Sequence, residues 1–156
     1  MFRRANRSRL DRILAAVEIP ALGIWLGALC GFAFVFAPAA FRLVPDLGAF
    51  AALIAANLRA LATIGAACGG VAIVVALLRS VSAADRTNDI ARVVLIVIAL
   101  ALVAYETFAI VPTMVAITDV HGSAYHDLHG LSTKVYGAVV LLGFAALVLA
   151  AVREEG

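Results

Sequence analysis

Four long apolar stretches, separated by short polar ones, set the plan of the chain. They run from about Ile13 to Ala37, Gly48 to Leu78, Ile90 to Ile117 and Gly130 to Val152. A helix needs about 20 mainly apolar residues to cross the hydrocarbon core of a bilayer, so the pattern predicts four spanning helices. Ser8 and Asp11 have capping-box spacing and predict a helix start ahead of span 1. Pro20 falls inside that helix and predicts a kink, and Pro38 predicts its end. Loop 1 then covers Ala39 to Leu47, loop 2 Arg79 to Asp89 and loop 3 Thr118 to His129.

Composition sharpens this picture. Of 156 residues, 65% are hydrophobic and 14% are charged, against about 25% charged in a soluble domain. The mean hydropathy is +1.08. Four spans and short loops use most of the chain, so residues 1–156 are expected to form a single membrane domain. The expected fold class is all-α, an integral membrane four-helix bundle solvated by the lipid bilayer. The chain opens with Arg3, Arg4, Arg7, Arg9 and Arg12 ahead of an apolar run, as a signal peptide does. That run is longer than the usual h-region of about 7–15 residues, so it reads as an uncleaved first helix.

Lys and Arg near the ends of spans set orientation. The N-terminal arginines, Arg79, Arg86, Arg92 and Arg153 fall on one side, while Arg42 and Lys134 lie toward the other. The bias predicts both termini in the cytoplasm (N-in, C-in), as expected for a multi-pass protein of a bacterial inner membrane. The net charge is only +2 and the basic residues are not interleaved with aromatics, which argues against nucleic acid as a partner. Cys30 and Cys68 lie in apolar runs without CxxC spacing and read as buried free thiols. The sequence shows no convincing long repeat.

Lipid tails compete with apolar side chains, so membrane helices associate where small residues let backbones approach. Gly23, Gly27 and Gly31 share one face of span 1, and Gly65 and Gly69 repeat the spacing in span 2. These faces predict helix packing, either between spans 1 and 2 or against a second copy or partner subunit.

Ionisable groups at membrane depth are costly and mark candidate sites. Glu18, near the start of span 1, can reach the interface or an N-terminal arginine. Glu106 lies deeper, roughly 16 Å of helix from the end of span 3, and Arg59 enters span 2 from the same side. An Arg59–Glu106 pair would be either a structural bridge or part of a proton- or cation-binding site, with Asn57, Tyr105 and Thr107 nearby. An unpaired Glu106 would be viable in its neutral form. Loop 3 holds His121, His126 and His129, with Asp127 beside them and Met114 one span-end away. Imidazoles suit transition metals, and a thioether would favour copper(I). The same histidines could equally serve capping and hydrogen bonding, or sense pH. Together with Lys134 and Tyr136, these residues predict an outward-opening polar pocket, and no resident cofactor is otherwise implied.

Short motifs add a resemblance. Trp25-Leu26-Gly27, Ala37-Pro38 with Phe41, Pro112 with Met114, and Leu128-His129-Gly130-Leu131-Ser132 resemble a four-helix membrane family of unknown function. That family includes bacterial proteins and the eukaryotic transmembrane protein associated with cisplatin resistance. The resemblance implies a four-span fold with an unassigned role, and loosely implies metal or drug handling. Relatives carry Asn a few residues after the matched Ser132, where this chain has Tyr136. A more distant likeness, through the Pro/Met/His pattern, is to copper-resistance membrane proteins.

There is no GxxxxGK[ST], HExxH or GxSxG motif, so the sequence predicts no enzyme. The leading expectation is a non-enzymatic accessory subunit of a membrane complex or a self-associating bundle. The alternative is a protein that binds or transports a metal ion or small molecule at the outward polar site.

Overall fold

The structure is a computed structural model that describes residues 2–82, 86–117, 119 and 122–152, with residues 2–9 and 82 as backbone only. Its elements are α1 (Phe2–Gly31), a π-helical turn (Phe32–Phe36), α2 (Ala37–Leu43), α3 (Leu47–Ser82), α4 (Thr87–Tyr105), a second π-helical turn (Glu106–Ile110), α5 (Val111–Ala116) and α6 (Ser123–Val152). They form four rods long and apolar enough to cross a membrane: Leu10–Leu43, Leu47–Val81, Thr87–Ala116 and Ser123–Val152. Each rod packs on its sequence neighbour, and rod 4 closes on rod 1. Phe2, Ser82, Thr87 and Val152, the outer ends of the rods, lie at one end of this all-helical bundle. The other, here called the proline end, holds the 43–47 and 116–123 connections.

Helix ends follow from local chemistry. Rod 1 stops at Leu43 because Val44 precedes Pro45 and is extended (φ −107°, ψ 97°), as the residue before a proline prefers. Asp46 then caps rod 2, its Oδ1 accepting the Ala49 N–H at 2.6 Å. The expected helix start at Ser8 is overtaken, since α1 is already helical from Phe2. Pro20 sits on an exposed face of an unbroken α1.

Pro38 does not end rod 1, contrary to the sequence expectation. A proline has no N–H and its ring crowds the carbonyl four residues back. The chain absorbs this by widening the preceding turn: the Ala37 N–H donates to the Phe32 carbonyl, five residues back. Rod 3 does the same before Pro112, with the Val111 N–H donating to the Glu106 carbonyl. Helix then resumes with the proline in its first turn, where no N–H is required. Rod 4 also begins earlier than expected, at Ser123, and turns most of predicted loop 3 into helix.

The two π-helical turns belong to a larger regularity. Glu18 and Arg92 are 74 residues apart. The same step carries Leu22 to Ile96, Phe32 to Glu106, Pro38 to Pro112, Gly69 to Gly143, Ala72 to Ala146 and Ala76 to Ala150. In the three pairs that lie in the hydrophobic core, Leu22/Ile96, Ala72/Ala146 and Ala76/Ala150, both members are fully buried. The bundle is therefore two helical hairpins on one plan, which corrects the reading of a chain without repeats. Identities are few because lipid requires only apolarity of most positions.

The core centres on Leu22, Trp25, Leu29, Ala72, Ile96, Ala99, Val139, Ala146 and Ala150. Alanine and glycine at the rod contacts let backbones approach, as lipid-embedded packing requires. Gly65 makes room for the Trp25 indole: a Cβ there would lie 2.8 Å from Trp25 Nε1. Gly69 similarly accommodates Leu100. Gly23, Gly27 and Gly31 behave differently, for a Cβ at any of them would meet nothing within 4 Å. The span 1 glycine face is thus not used against rod 2. Cys30 and Cys68 are free and half-buried.

Hydroxyls and amides within the rods bond to carbonyls one turn back. Asn57 donates to Leu53 O at 2.9 Å, Thr63 to Arg59 O at 3.0 Å, Thr107 to Val103 O at 2.8 Å and Thr133 to His129 O at 2.9 Å. Each thereby satisfies its donor without water, the condition for a polar group on a lipid-embedded helix.

Candidate functional site

Buried charge separates into two centres, one at each end of the bundle. At the terminal end, Glu18 on rod 1 meets Arg79 on rod 2 and Arg92 on rod 3. Its Oε2 accepts from Arg92 Nη1 at 2.9 Å and from Arg79 Nη1 at 3.1 Å. Arg92 also donates through Nη2 to Asp89, one helical turn away. All four side chains are 0–3% exposed. Two carboxylates and two guanidiniums cancel in formal charge, so the centre is internally compensated. It ties three rods together, with Arg79 and Arg92 as the partners of Glu18.

The spacing that builds this centre was present in the sequence. Glu18, Leu22, Trp25 and Leu29 recur on one helical face, as do Asp89, Arg92, Ile96 and Ala99, and each set is buried. An acid and a base at the same register of two core stripes are placed to meet. Counting Arg79 and Arg92 only as orientation signals hid this.

The second centre lies toward the proline end, in a cavity of about 310 Å³ among all four rods. Rod 1 contributes Phe32 and Ala33 and rod 2 Phe50, Ala51, Ile54, Ala55 and Leu58. Rod 3 contributes Glu106, Val111 and Met114, and rod 4 Tyr125, His129, Ser132, Thr133 and Tyr136. Both π-helical turns open into it through their first residues, Phe32 and Glu106. Such turns recur at functional sites because they turn side chains out of the regular helical register.

Glu106 is 4% exposed. Its Oε1 accepts from the Ser132 hydroxyl, while Oε2 has no hydrogen-bond partner among the described residues. The Tyr136 hydroxyl donates to the Leu29 carbonyl at 2.8 Å, and its ring lies 5.8 Å from that of Phe32. That contact joins rods 4 and 1 in the cavity wall. Near the other end Tyr125 stacks on His129, with centroids 6.2 Å apart and planes 4° from parallel.

The predicted polar pocket is assembled only in part. Glu106, His129, Met114 and Tyr136 line the cavity, and Ser132 and Tyr125 join them. Arg59 is exposed and belongs to none of the ion pairs among the described residues, so the expected bridge to Glu106 is replaced by Ser132. Rod 2 has 36 residues and is about 54 Å long, well beyond the roughly 30 Å of hydrocarbon. Arg59 can therefore extend its stem toward a headgroup region. Tyr105 points outward, 49% exposed. His126, Asp127 and Lys134 are also exposed and line no part of the cavity.

The helical start of rod 4 sets His126 and His129 one turn apart, and both rings pack against Tyr125, His126 edge-on and His129 stacked; of the two, His129 lines the cavity. His121 lies outside the described residues. Among the described residues no three His, Cys, Asp or Glu side chains gather as a metal-holding group; Met114 and His129 both line the cavity, and His126 does not. Ser132 was missed as a site residue. Its signal was the Leu-His-Gly-Leu-Ser run, which places Ser132 and His129 one turn apart on one face.

The chain matches the family described as "Domain of unknown function (DUF4149)" over residues 21–123. The protein belongs to the DUF4149 family. The match covers most of rod 1, all of rod 2 and rod 3, and both π-helical turns. Glu18, His129 and Ser132 of this DUF4149 protein fall outside the matched stretch. No curated protein and no solved structure matches the chain.

Proposed function

We propose that this DUF4149 protein binds a small, mainly apolar molecule in the proline-end cavity. The supporting observation is an apolar chamber that contains one buried carboxyl with an unengaged oxygen. Small-molecule sites are typically chambers of roughly 300–1,000 Å³ with apolar walls and a few placed polar groups. On the Lys/Arg bias the proline end faces outward from a bacterial inner membrane, so the ligand arrives from the outer side. The resemblance to the family of the cisplatin-resistance-associated protein loosely implies metal or drug handling.

Photolabelling tests this reading. Adamantyl diazirine, added to the protein in nanodiscs, is expected to label the stretch containing Ser132 and Thr133. Ala51→Phe, which fills the chamber, should remove that labelling and leave lipid-facing Leu141 and Phe144 labelled as before. Equal labelling of the 132–133 stretch in wild type and Ala51→Phe would refute it.

A second reading is favoured by the open face of Gly23, Gly27 and Gly31. We infer that this stripe pairs with the same stripe on a second copy, giving a self-associating bundle that could also serve within a larger complex. Gly27→Leu should shift the particle in mild detergent from dimer to monomer. An unchanged mass would remove this reading.

A further inference from the structure

The repeated plan supplies an internal control for the cavity. The step that relates the two hairpins carries Phe32 to Glu106 and Leu58 to Ser132, and all four residues line the same chamber. Phe32 and Glu106 each open a π-helical turn, six residues before a proline. The first hairpin folds with Phe and Leu at these two positions. The second carries an acid and a hydroxyl there, bonded to each other. The carboxyl is therefore not required to build the π-helical turn, the proline bend or the rod pairing. It has been placed in a position that an apolar residue fills in the other half, at the cost of a carboxyl oxygen left without a donor.

What would satisfy that oxygen follows from its surroundings. The Ser132 hydroxyl already supplies Oε1 with a donor, an arrangement suited to an anion. None of the ion pairs among the described residues includes Glu106. A buried carboxylate calls for a positive partner; His129 lines the same chamber but makes no ion pair with Glu106 among the described residues, and the rest of the wall is mainly apolar. From Ser132 to Tyr125 the chamber extends seven residues of helix, roughly 10 Å. It suits a short hydrocarbon body with a single ammonium at the Glu106 end. We propose that the ligand class is a lipophilic monoamine in its protonated form, with its nitrogen donating to Glu106 Oε2 and its apolar body lying toward Tyr125. This rests on the cavity being a binding site, as proposed above.

The test compares three eight-carbon probes that differ only in the head: octylamine, octan-1-ol and octanoate. Each is titrated into wild-type protein in nanodiscs, with empty nanodiscs subtracted for membrane partitioning. Saturable octylamine binding is expected, about tenfold or more tighter than octanol, the effect of one charge-assisted hydrogen bond. Octanoate should bind weakest. Glu106→Gln should abolish the preference for octylamine and leave octanol binding intact. Glu106→Phe with Ser132→Leu, which copies the first hairpin into the second, should fold normally by circular dichroism and bind neither probe.

Octanol binding wild type as tightly as octylamine would overturn the amine assignment while leaving the cavity a binding site. Saturable binding of none of the three would overturn the binding site itself. Failure of the double variant to fold would overturn the internal comparison by making Glu106 architectural, and Glu106→Gln would still decide the ligand class.

Discussion

Replacing Glu18 with Gln perturbs the terminal-end centre with the least change in shape. The carboxylate accepts two charge-assisted hydrogen bonds, from Arg92 at 2.9 Å and Arg79 at 3.1 Å. Both donate to the same oxygen, and the glutamine carbonyl can still accept there, so the bonds fall from about 1.5–3 kcal/mol each to about 0.5–1.5 kcal/mol each and the change costs about 2–3 kcal/mol. A second route gives an upper figure: removing one partner of a buried ion pair costs about 3–5 kcal/mol, because the other charge is left uncompensated. A loss of about 2–5 kcal/mol is therefore expected.

Trp25 is the only tryptophan, is fully buried, and lies two turns from Glu18, so its fluorescence can follow unfolding by SDS in mixed micelles. Glu18→Leu combined with Arg92→Leu removes one charge of each sign and should recover much of the loss. The coupling between the two sites should exceed about 1.5 kcal/mol. A Glu18→Gln protein within about 0.5 kcal/mol of wild type, with additive behaviour in the double variant, would refute the reasoning.

Other outcomes follow from the same geometry. Gly65→Ala places a methyl 2.8 Å from a fully buried indole nitrogen and should cost about 1–3 kcal/mol by overpacking, read by the same unfolding curve. Gly23→Ala meets no neighbour and should leave the curve unshifted or slightly stabilised, since alanine is the better helix former. Arg59→Gln should leave octylamine binding unchanged in nanodiscs, because Arg59 is exposed and outside the cavity; a clear loss would restore the bridge to Glu106.

The rods could be read from the sequence because twenty or so apolar residues in a row have few other solutions. Which face of each rod lies inside could not. Leu22 is fully buried while Ile24, two residues on, is 61% exposed, and lipid does not distinguish them. The proline positions were visible, but not that the chain would widen a turn ahead of each and continue. Loop 3 read as a loop because its polar residues masked a helix that starts at Ser123, and the turn of that helix puts His129 on the cavity and leaves His126 off it. Glu106 stood out on burial grounds alone. Its partner did not, since a bridge to Arg59 satisfied the same electrostatic argument as the hydroxyl of Ser132.

On the proposed function the two buried acids have opposite characters: Glu18 is compensated and holds rods together, whereas Glu106 is kept at a cost to stability for the sake of a ligand. Replacing each with Leu in turn, and following SDS unfolding through Trp25, tests this most directly. Glu18→Leu should lower the unfolding free energy by about 3 kcal/mol or more. Glu106→Leu should leave it unchanged or raise it by about 1–2 kcal/mol, as an unsatisfied buried oxygen is removed. A Glu106→Leu protein destabilised as much as the Glu18 variant would contradict the account and make both acids part of the scaffold.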